Sequence, residues 1–424
     1  MRSKIYLLHV SLFLTASAFA GSSASPTFNR DVQPILQARC QPCHRPGQMA
    51  PMPLVTLDQI RPYAKQIVDT VKSGKMPPWY ADKCCGQYST EHSLSREEIS
   101  TIETWVNTGM PEGKKEKTRP FTWTDEWRID GPSVVVSLPR TFEVPANANI
   151  EDQFVILPLD LAEDRWASAV EIHPGDRGVV HHAILYVRSR ESEWLRKVPK
   201  LTMVAAGTAD DPSQQPGVQI LTVYSMGNPA SIWPEGTGKK IPAGSDLVLQ
   251  IHYTAKNIAA SDRTSVGINF LKERPEKRVL TFALENRAID IPPGTGDYRA
   301  TISTVIPRDL QLIGMLPHMH LRGKAFDLAF AAPGAKPETL IAADSFEFLW
   351  QQSYPMKTPK MLSKGTRLIW TAVFDNSAAN PRNPDPKAEV RWGKQNSDET
   401  MVGYFDVAVD INVERIAVAA PAKP

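Results

Sequence analysis

The chain contains the run Leu247-Val248-Leu249-Gln250-Ile251, five mostly apolar residues that predict a buried β-strand. Similar runs recur after residue 123, among them Val134-Val135-Val136 and Phe154-Val155-Ile156-Leu157, with Pro, Gly or Asn around them. Short strands at this spacing are typical of β-sandwich or jelly-roll sheets and not of βαβ units. The 36 prolines in 424 residues favour the same interpretation, because proline suits turns and strand ends.

The later half of the chain repeats this strand pattern, so the sequence predicts two sandwiches. We expect a first jelly roll over residues 123–275 and a second over residues 276–416, with a seam near Lys272–Lys277. A prior of about 150 residues per domain agrees with this division. The Pro- and Ala-rich tail, 417–424, is predicted to be unstructured.

Residues 27–112 have a different pattern, which predicts helices. The first helix begins near Phe28 and runs into Cys40-Gln41-Pro42-Cys43-His44, and another begins at Ser95. The spacing Cys-x-x-Cys-His is the attachment signature of c-type haem, in which the two thiols bind the vinyl groups and the histidine ligates the iron. The alternatives are a disulfide or a zinc site, but zinc needs two further ligands at matching spacing.

The sixth iron ligand is predicted to be Met76, in Lys75-Met76-Pro77-Pro78-Trp79. A thioether raises the potential of an electron-transfer haem, and the prolines stiffen the loop that holds the sulfur. Met49 and Met52 are nearer in sequence, and His92 is a weaker rival.

These motifs make residues 27–112 similar to a small class I cytochrome c. The resemblance implies an all-α domain with one covalent haem c, held by Cys40, Cys43, His44 and Met76. Residues 113–122 are interpreted as a linker to the β units. Cys84-Cys85 falls outside the pattern; a local disulfide is one interpretation, and no function is assigned to the pair.

Three histidine motifs lie in the cysteine-free β segment: His181-His182, Gln250-Ile251-His252-Tyr253 and His318-Met319-His320. Strand residues two apart face the same side, so His318 and His320 can bind one metal. Adjacent histidines can share a metal only where a strand ends or bulges. Any single histidine could simply form a hydrogen bond with a neighbouring residue, but the three motifs together favour a metal site. Imidazole suits copper and zinc, and a thioether partner favours copper.

The order of these motifs, followed by Asp398-Glu399, a methionine and Gly403-Tyr404, resembles the copper type II ascorbate-dependent monooxygenases. Peptidylglycine α-hydroxylating and dopamine β-monooxygenases belong to that family. The resemblance covers roughly residues 123 to 415 and implies two jelly rolls facing each other across a solvent gap. It also implies an electron-transferring copper and an oxygen-binding copper. The first would be held by His181, His182 and His252, and the second by His318, His320 and Met401.

The sequence departs from the family pattern at three positions. Thr400 stands directly after the acidic pair, where the family has its methionine, so Met401 is displaced by one residue. Leu316 and Val402 replace the Arg and Asn with which the peptide-amidating members hold their substrate, whereas Tyr404 is retained. Peptide amidation is therefore not expected.

The N-terminus predicts export. A basic start, Met1-Arg2-Ser3-Lys4, precedes an apolar run and the small residues Ala18-Phe19-Ala20, so residues 1–20 are predicted to be a signal peptide. The alternative is a membrane anchor, but the apolar run is shorter than the about 20 residues that a membrane-spanning helix needs. No later run is long and apolar enough to span a bilayer, and the net charge of +2 without a basic patch argues against a nucleic-acid partner. A bacterial periplasm is the expected compartment.

Together these patterns predict a multidomain protein, a small all-α cytochrome c-like domain followed by all-β tandem jelly-roll sandwiches. Its function would be a copper- and haem-dependent monooxygenase that hydroxylates a C–H bond of a small substrate with O2. The haem would pass electrons from an external donor, a redox protein or an ascorbate-like reductant, to two coppers. One alternative is a non-catalytic electron-transfer or copper-binding haem protein. Another is a haem protein joined to a partner-binding β-sandwich with structural histidines.

Overall fold

The computed structural model describes residues 25–114, 123 and 126–416, apart from positions 49, 83, 149, 206, 208, 209, 211, 213, 214, 229 and 394. The predicted signal peptide, most of the predicted linker and the predicted tail lie outside the described residues. Among the described helices, none combines the length and the apolar character needed to cross a bilayer.

The helices are confined to the N-terminal part of the described chain. They are α1 (Gln33–Arg39), α2 (Leu57–Ile60), α3 (Ala64–Lys72) and α4 (Arg96–Asn107), with a π-helical turn at Phe28–Val32 and a 3-10 turn at Arg61–Tyr63. Ser95 caps α4: its hydroxyl accepts from the Glu98 amide at 3.1 Å, and its own amide donates to the Glu98 carboxylate at 2.7 Å. This reciprocal pair satisfies two amides that a helix start leaves free.

The rest of the described chain is built from strands. They are β1 (Val134–Ser137), β2 (Phe142–Val144), β3 (Gln153–Pro158), β4 (Arg165–His173), β5 (Val180–Arg188), β6 (Met203–Ala205), β7 (Val218–Ser225), β8 (Ser231–Ile232), β9 (Thr237–Ile241), β10 (Asp246–Tyr253), β11 (Ala260–Asp262), β12 (Ser265–Phe270), β13 (Lys277–Glu285), β14 (Asp290–Ile291), β15 (Tyr298–Val305), β16 (Leu310–His318), β17 (Gly323–Ala331), β18 (Glu338–Ala343), β19 (Tyr354–Leu362), β20 (Arg367–Phe374), β21 (Val390–Arg391) and β22 (Val402–Asp410).

Three large sheets contain most of these strands, and two further pairs, β11-β2 and β14-β21, form two-stranded sheets. A nine-stranded sheet has the order β1-β12-β4-β9-β13-β22-β16-β19, with β8 beside β4. A five-stranded sheet, β6-β3-β10-β5-β7, belongs to the first β unit (β1–β12), and a four-stranded sheet, β15-β20-β17-β18, belongs to the second (β13–β22). Each unit has its own large hydrophobic core. The nine-stranded sheet supplies strands to both units, because β9 and β13 pair in parallel.

The predicted fold class, an all-α cytochrome c domain followed by tandem jelly rolls, is wrong. The helices are short, the longest having 12 residues. Between α3 and α4 the described residues form no helix. There the chain runs against the second β unit: Tyr88 bridges to Met356, and the Ser89 amide donates to the Pro355 carbonyl at 2.9 Å. The two β units also share one sheet instead of forming separate sandwiches.

The physical reason is non-local pairing. α3 ends at Lys72, just before Gly74 with its positive φ of 71°, and Pro77 and Pro78 disfavour a new helix directly afterwards. The following residues are left to pair with a strand far along the chain. In the same way β13 covers the edge of β9, and a covered edge removes the unpaired backbone groups that two separate sandwiches would expose. Neither the pairing of the segment after α3 with β19 nor that of β9 with β13 can be predicted from the local sequence pattern.

Candidate metal centre

Five histidines meet where the five-stranded sheet faces the nine-stranded sheet. His181 and His182 lie on β5 and His252 on β10, whereas His318 ends β16 and His320 follows it. Between them lies a cavity of about 60 Å³, lined by His181, His182, Ile184, Val223, Ser225, Leu316, His318, Leu349, Gln351 and Tyr404. Histidine motifs from three distant parts of the sequence therefore come together at one place.

A β-bulge brings the two adjacent histidines to the same side of β5. His182 pairs with His252, but the next pair joins Tyr253 to Val180, so His181 is the extra residue. The Nδ1 atoms of His181 and His182 are 3.0 Å apart. The rings of His182 and His252 stack, with centroids 4.8 Å apart. The three rings therefore form one cluster, which we call the first histidine cluster.

Asp152, just before β3, lies against this cluster. Its Oδ1 is 2.6 Å from Nδ1 of His252, and its Oδ2 accepts from Nε2 of Gln250 at 2.6 Å. The candidate ligand atoms of Asp152, His182 and His252 all lie within 4.8 Å of one another. Burial alone would raise the pKa of Asp152, but the hydrogen bond from His252 and the nearby imidazoles lower it to about 2. A carboxylate behind a ligating imidazole orients the ring and increases its basicity.

His318 and His320 form the second histidine cluster, with ring centroids 5.2 Å apart. Nδ1 of His318 is 2.5 Å from Oε1 of Gln351. Because β16 ends at His318, His320 is not held by strand pairing. Instead the buried Glu399 carboxylate accepts hydrogen bonds from the backbone amides of His320 and Arg322, the latter at 2.9 Å. Burial raises the pKa of Glu399 to about 7.

Glu399→Ala is expected to loosen the loop that carries His320. The variant leaves the amides of His320, Arg322 and Thr400 without their acceptor. A buried amide without an acceptor costs about 1–3 kcal/mol, so we expect roughly 2–4 kcal/mol of lost stability in urea unfolding. Loss of this support should also weaken copper binding at the second histidine cluster by about 10–100-fold in titrations.

Asp398→Asn is the matched control, because that neighbouring carboxylate bonds only the exposed amide of Gln395 among the described residues. It should shift stability by about 0.5 kcal/mol or less. Equal copper affinity for Glu399→Ala and the unaltered protein would contradict the positioning role.

The two clusters share one small cavity instead of facing each other across the solvent gap that the resemblance implies. The Phe348 ring lies 6.1 Å from the His181 ring and 6.2 Å from the His320 ring, measured between centroids. A loop of the second β unit is fastened to the first, since Ser225 Oγ donates to the Gln351 carbonyl at 2.5 Å. These contacts hold the two units together beside the histidines.

The histidine nitrogens are suited to a metal ion. Nε2 of His181 and Nδ1 of His320 are buried without a hydrogen-bond partner among the described residues. Burial lowers the pKa of His181 to about 4 and that of His320 to about 3, and it lowers the pKa of His182 well below its usual range. These three rings are therefore neutral at pH 7. Neutral imidazole is the form that binds metals, and a bound ion would satisfy the unpartnered nitrogens.

The displaced methionine lies in the core. Met401, directly before β22, is fully buried in the hydrophobic core of the second β unit, and so is Met319. The hydroxyl of Thr400 is buried without a partner among the described residues. The suitability of this site for a metal thus rests on the imidazoles. Thioether ligation by Met401 stays a prediction.

The Cys-x-x-Cys-His motif follows α1. Cys40 and Cys43 are not joined in a disulfide, whereas Cys84 and Cys85 are joined to each other. Nδ1 of His44 is 3.0 Å from the Met52 carbonyl, which leaves Nε2 of this ring for an iron. This arrangement fits a covalently bound haem, although the surrounding fold is not that of an all-α cytochrome c.

The candidates for the sixth iron ligand lie after α3. Met76 is half-buried and precedes a cis peptide bond to Pro77. The His92 ring contacts Trp79 edge-on, with centroids 5.8 Å apart, and its Nε2 is buried without a partner among the described residues. Met49 lies outside the described residues. Met76 therefore stays the predicted ligand, with His92 as its rival.

The strand β7 lies beside the histidine cavity. Ser225 lines the cavity and pairs with His182, and its neighbour Tyr224 points to the other face of the strand. Burial raises the pKa of Tyr224 to about 12.

Comparison with known proteins adds little to this geometry. No family model matches the chain. PNGF-II has 9% sequence identity and a TM-score of 0.28, over 65% of this chain and 65% of that one. PNGase F, a glycosylasparaginase from Flavobacterium meningosepticum, has 10% identity and a TM-score of 0.24, over 71% of this chain and 97% of that one. A turret protein of Sulfolobus turreted icosahedral virus has 11% identity and a TM-score of 0.16, over 65% and 100%. Likenesses this low carry no argument about function.

Proposed function

We propose that the protein is an exported copper- and haem-dependent monooxygenase that hydroxylates a C–H bond of a small substrate. The observation that carries this proposal is the convergence of five histidines from distant parts of the chain, of which His181, His182 and His318 line one cavity. Two of these rings have a buried nitrogen with no hydrogen-bond partner among the described residues. Imidazole-rich sites of this kind suit copper.

Each histidine cluster has its own role in the proposal. The first, His181, His182 and His252, would hold an electron-transferring copper, with Asp152 fixing the His252 ring. The second, His318 and His320, would hold the oxygen-binding copper, with Met401 as the predicted third ligand. When bound, the metals supply the electron relay and oxygen activation for R–H + O2 + 2e⁻ + 2H⁺ → R–OH + H2O. The chain's own contribution is to hold the donor nitrogens neutral, oriented and shielded from bulk water.

A covalent haem on Cys40, Cys43 and His44, with Met76 as sixth ligand, would deliver the electrons. The covalent tether between this motif and the first histidine cluster supports that role, because two groups on one chain have a high effective concentration toward each other. An external donor, a redox protein or an ascorbate-like reductant, would supply the haem. The predicted export signal and c-type haem chemistry both favour a bacterial periplasm.

The test is copper content per haem in the purified mature protein, followed by single-turnover kinetics. We expect about two coppers per haem, as separate imidazole clusters predict. After rapid anaerobic reduction of the haem in the copper(II)-loaded protein, the haem should reoxidise at a rate that is independent of protein concentration. Oxygen should then yield a hydroxylated product. Haem that never reduces the copper would contradict the mechanism.

A non-catalytic electron carrier is the second candidate. The burial of Met401 in the core favours it, because the oxygen-binding copper would then have only two strong ligands. In that case copper would be reduced by the haem, but oxygen would be consumed without hydroxylated product.

A further inference from the structure

We propose that a second, larger cavity beside the histidines binds the substrate, and that this substrate is an uncharged, mostly apolar small molecule. The inference rests on the proposed function and adds the substrate class. The cavity has a volume of about 500 Å³. Small-molecule sites are commonly about 300–1,000 Å³, so one or two fused rings or a short chain would fit.

The cavity adjoins the candidate metal centre. Val223, Leu316 and Tyr404 line both this cavity and the smaller one that holds the histidines. A molecule in the larger cavity would therefore have one end near the second histidine cluster. Leu316 lies at the boundary between the two cavities. An apolar side chain at this boundary favours an apolar group.

The walls are mainly apolar. They come from β7, β16 and β19 and include Ile220, Val223, Ile313, Met315, Met356 and Pro359. Burying apolar surface against such walls is favourable because it removes that surface from water. The hydrophobic effect would therefore supply most of the binding free energy, with few polar contacts to fix the orientation.

The charged groups of the interior are already neutralised. The buried Lys239 ammonium donates to the Leu221 carbonyl at 2.9 Å and to Thr281 Oγ1 at 2.7 Å, and it lies 3.2 Å from the Asp406 carboxylate. These partners satisfy its three N–H donors. Lys357 also lines the cavity but is exposed, and water solvates it. No interior charge among the described lining residues is therefore left to bind an ionic substrate.

One polar group is available to a ligand. Thr90 lines the cavity, and its hydroxyl is buried without a hydrogen-bond partner among the described residues. Thr90 belongs to the extended segment that pairs with β19 through Tyr88 and Ser89, so the haem-bearing part of the chain closes one side of the cavity. A carbonyl or hydroxyl of the substrate would satisfy this group. The substrate class is thus an apolar body with one neutral polar group.

The experiment compares two probes of matched shape, 2-acetylnaphthalene and 2-naphthoate, by isothermal titration calorimetry on the full mature protein. We expect the uncharged probe to bind about tenfold or more tightly than the carboxylate, because the latter would lose hydration without gaining a partner. Equal binding, or tighter binding of the carboxylate, would overturn the inference.

Two variants locate the site. Met356→Trp narrows the cavity and should weaken the acetyl probe about tenfold or more, whereas Met361→Trp alters an exposed position on the same strand and should not. Thr90→Val keeps the shape and should weaken the acetyl probe about threefold to tenfold, leaving plain naphthalene unchanged. Unaltered binding in both Met356→Trp and Thr90→Val would overturn the assignment.

Copper content of the same samples separates this inference from the proposed function. About two coppers per haem without probe binding would refute the substrate cavity and leave the monooxygenase proposal standing. Probe binding that responds to the two variants in a protein that takes up no copper would support the cavity as a ligand site and refute the monooxygenase.

Discussion

Replacing both Cys40 and Cys43 by alanine is expected to leave a protein without covalently attached haem. The two thiols are not joined in a disulfide and lie half-buried on either side of the turn that presents His44. Each thioether bond of c-type haem needs one of them. After denaturing electrophoresis, haem staining should fall from a strong band to background.

The matched control replaces the other two cysteines, Cys84 and Cys85, by serine. Cys84→Ser together with Cys85→Ser removes the disulfide that joins them but leaves the Cys-x-x-Cys-His motif intact. We expect full haem staining in this variant. Haem that stays covalently bound in the Cys40/Cys43 variant, or that is lost only in the Cys84/Cys85 variant, would show that the motif has another role.

The β-sheet character of most of the chain follows from local patterns. The run from Leu247 to Ile251 lies in β10, Val134–Val136 lies in β1, and Phe154–Leu157 lies in β3. In each case a short apolar, β-branched run is bounded by turn residues, which is the information that a strand needs. The helix capped by Ser95 also has a local signal, a serine with a glutamate three residues later.

The arrangement of these elements could not be predicted in the same way. The pairing of β9 with β13 joins two halves that the sequence separates. The bridge from Tyr88 to Met356 spans most of the chain and places the segment between α3 and α4, part of the predicted helical domain, against a β unit. Such contacts depend on which surfaces remain uncovered after the local elements have formed, and no short pattern records that.

Some residues of the candidate metal centre could also be predicted from local patterns, and others could not. Its five histidines are recognisable because they occur in short motifs. Asp152 and Gln351 have no such signal, since their partners His252 and His318 lie far away in sequence. Glu399 is visible as half of an acidic pair, but its bonds to the backbone of His320 and Arg322 are not. The supporting residues of a site therefore require the fold.

Removing either histidine cluster is expected to remove one copper and leave the other. His318→Ala with His320→Ala deletes both imidazoles that the nine-stranded sheet contributes, and His182→Ala with His252→Ala deletes the stacked pair of the five-stranded sheet. Because each cluster has its own donors, copper measured by elemental analysis should fall from about two to about one per haem in each double variant. Hydroxylation should be lost in both.

The two double variants differ in what the remaining copper can do. Without His318 and His320 the haem should still reduce the remaining copper, whereas without His182 and His252 that reduction should be slowed by several orders of magnitude or abolished. His173→Asn is the control, since this half-buried ring packs at a tilt against Trp127 and lies near the Glu171 carboxylate, outside the cavity. It should keep both coppers. Loss of both coppers in either double variant, with the haem and the unfolding midpoint intact, would show that the clusters form one inseparable site, because the small cavity they share would then bind its metals only together.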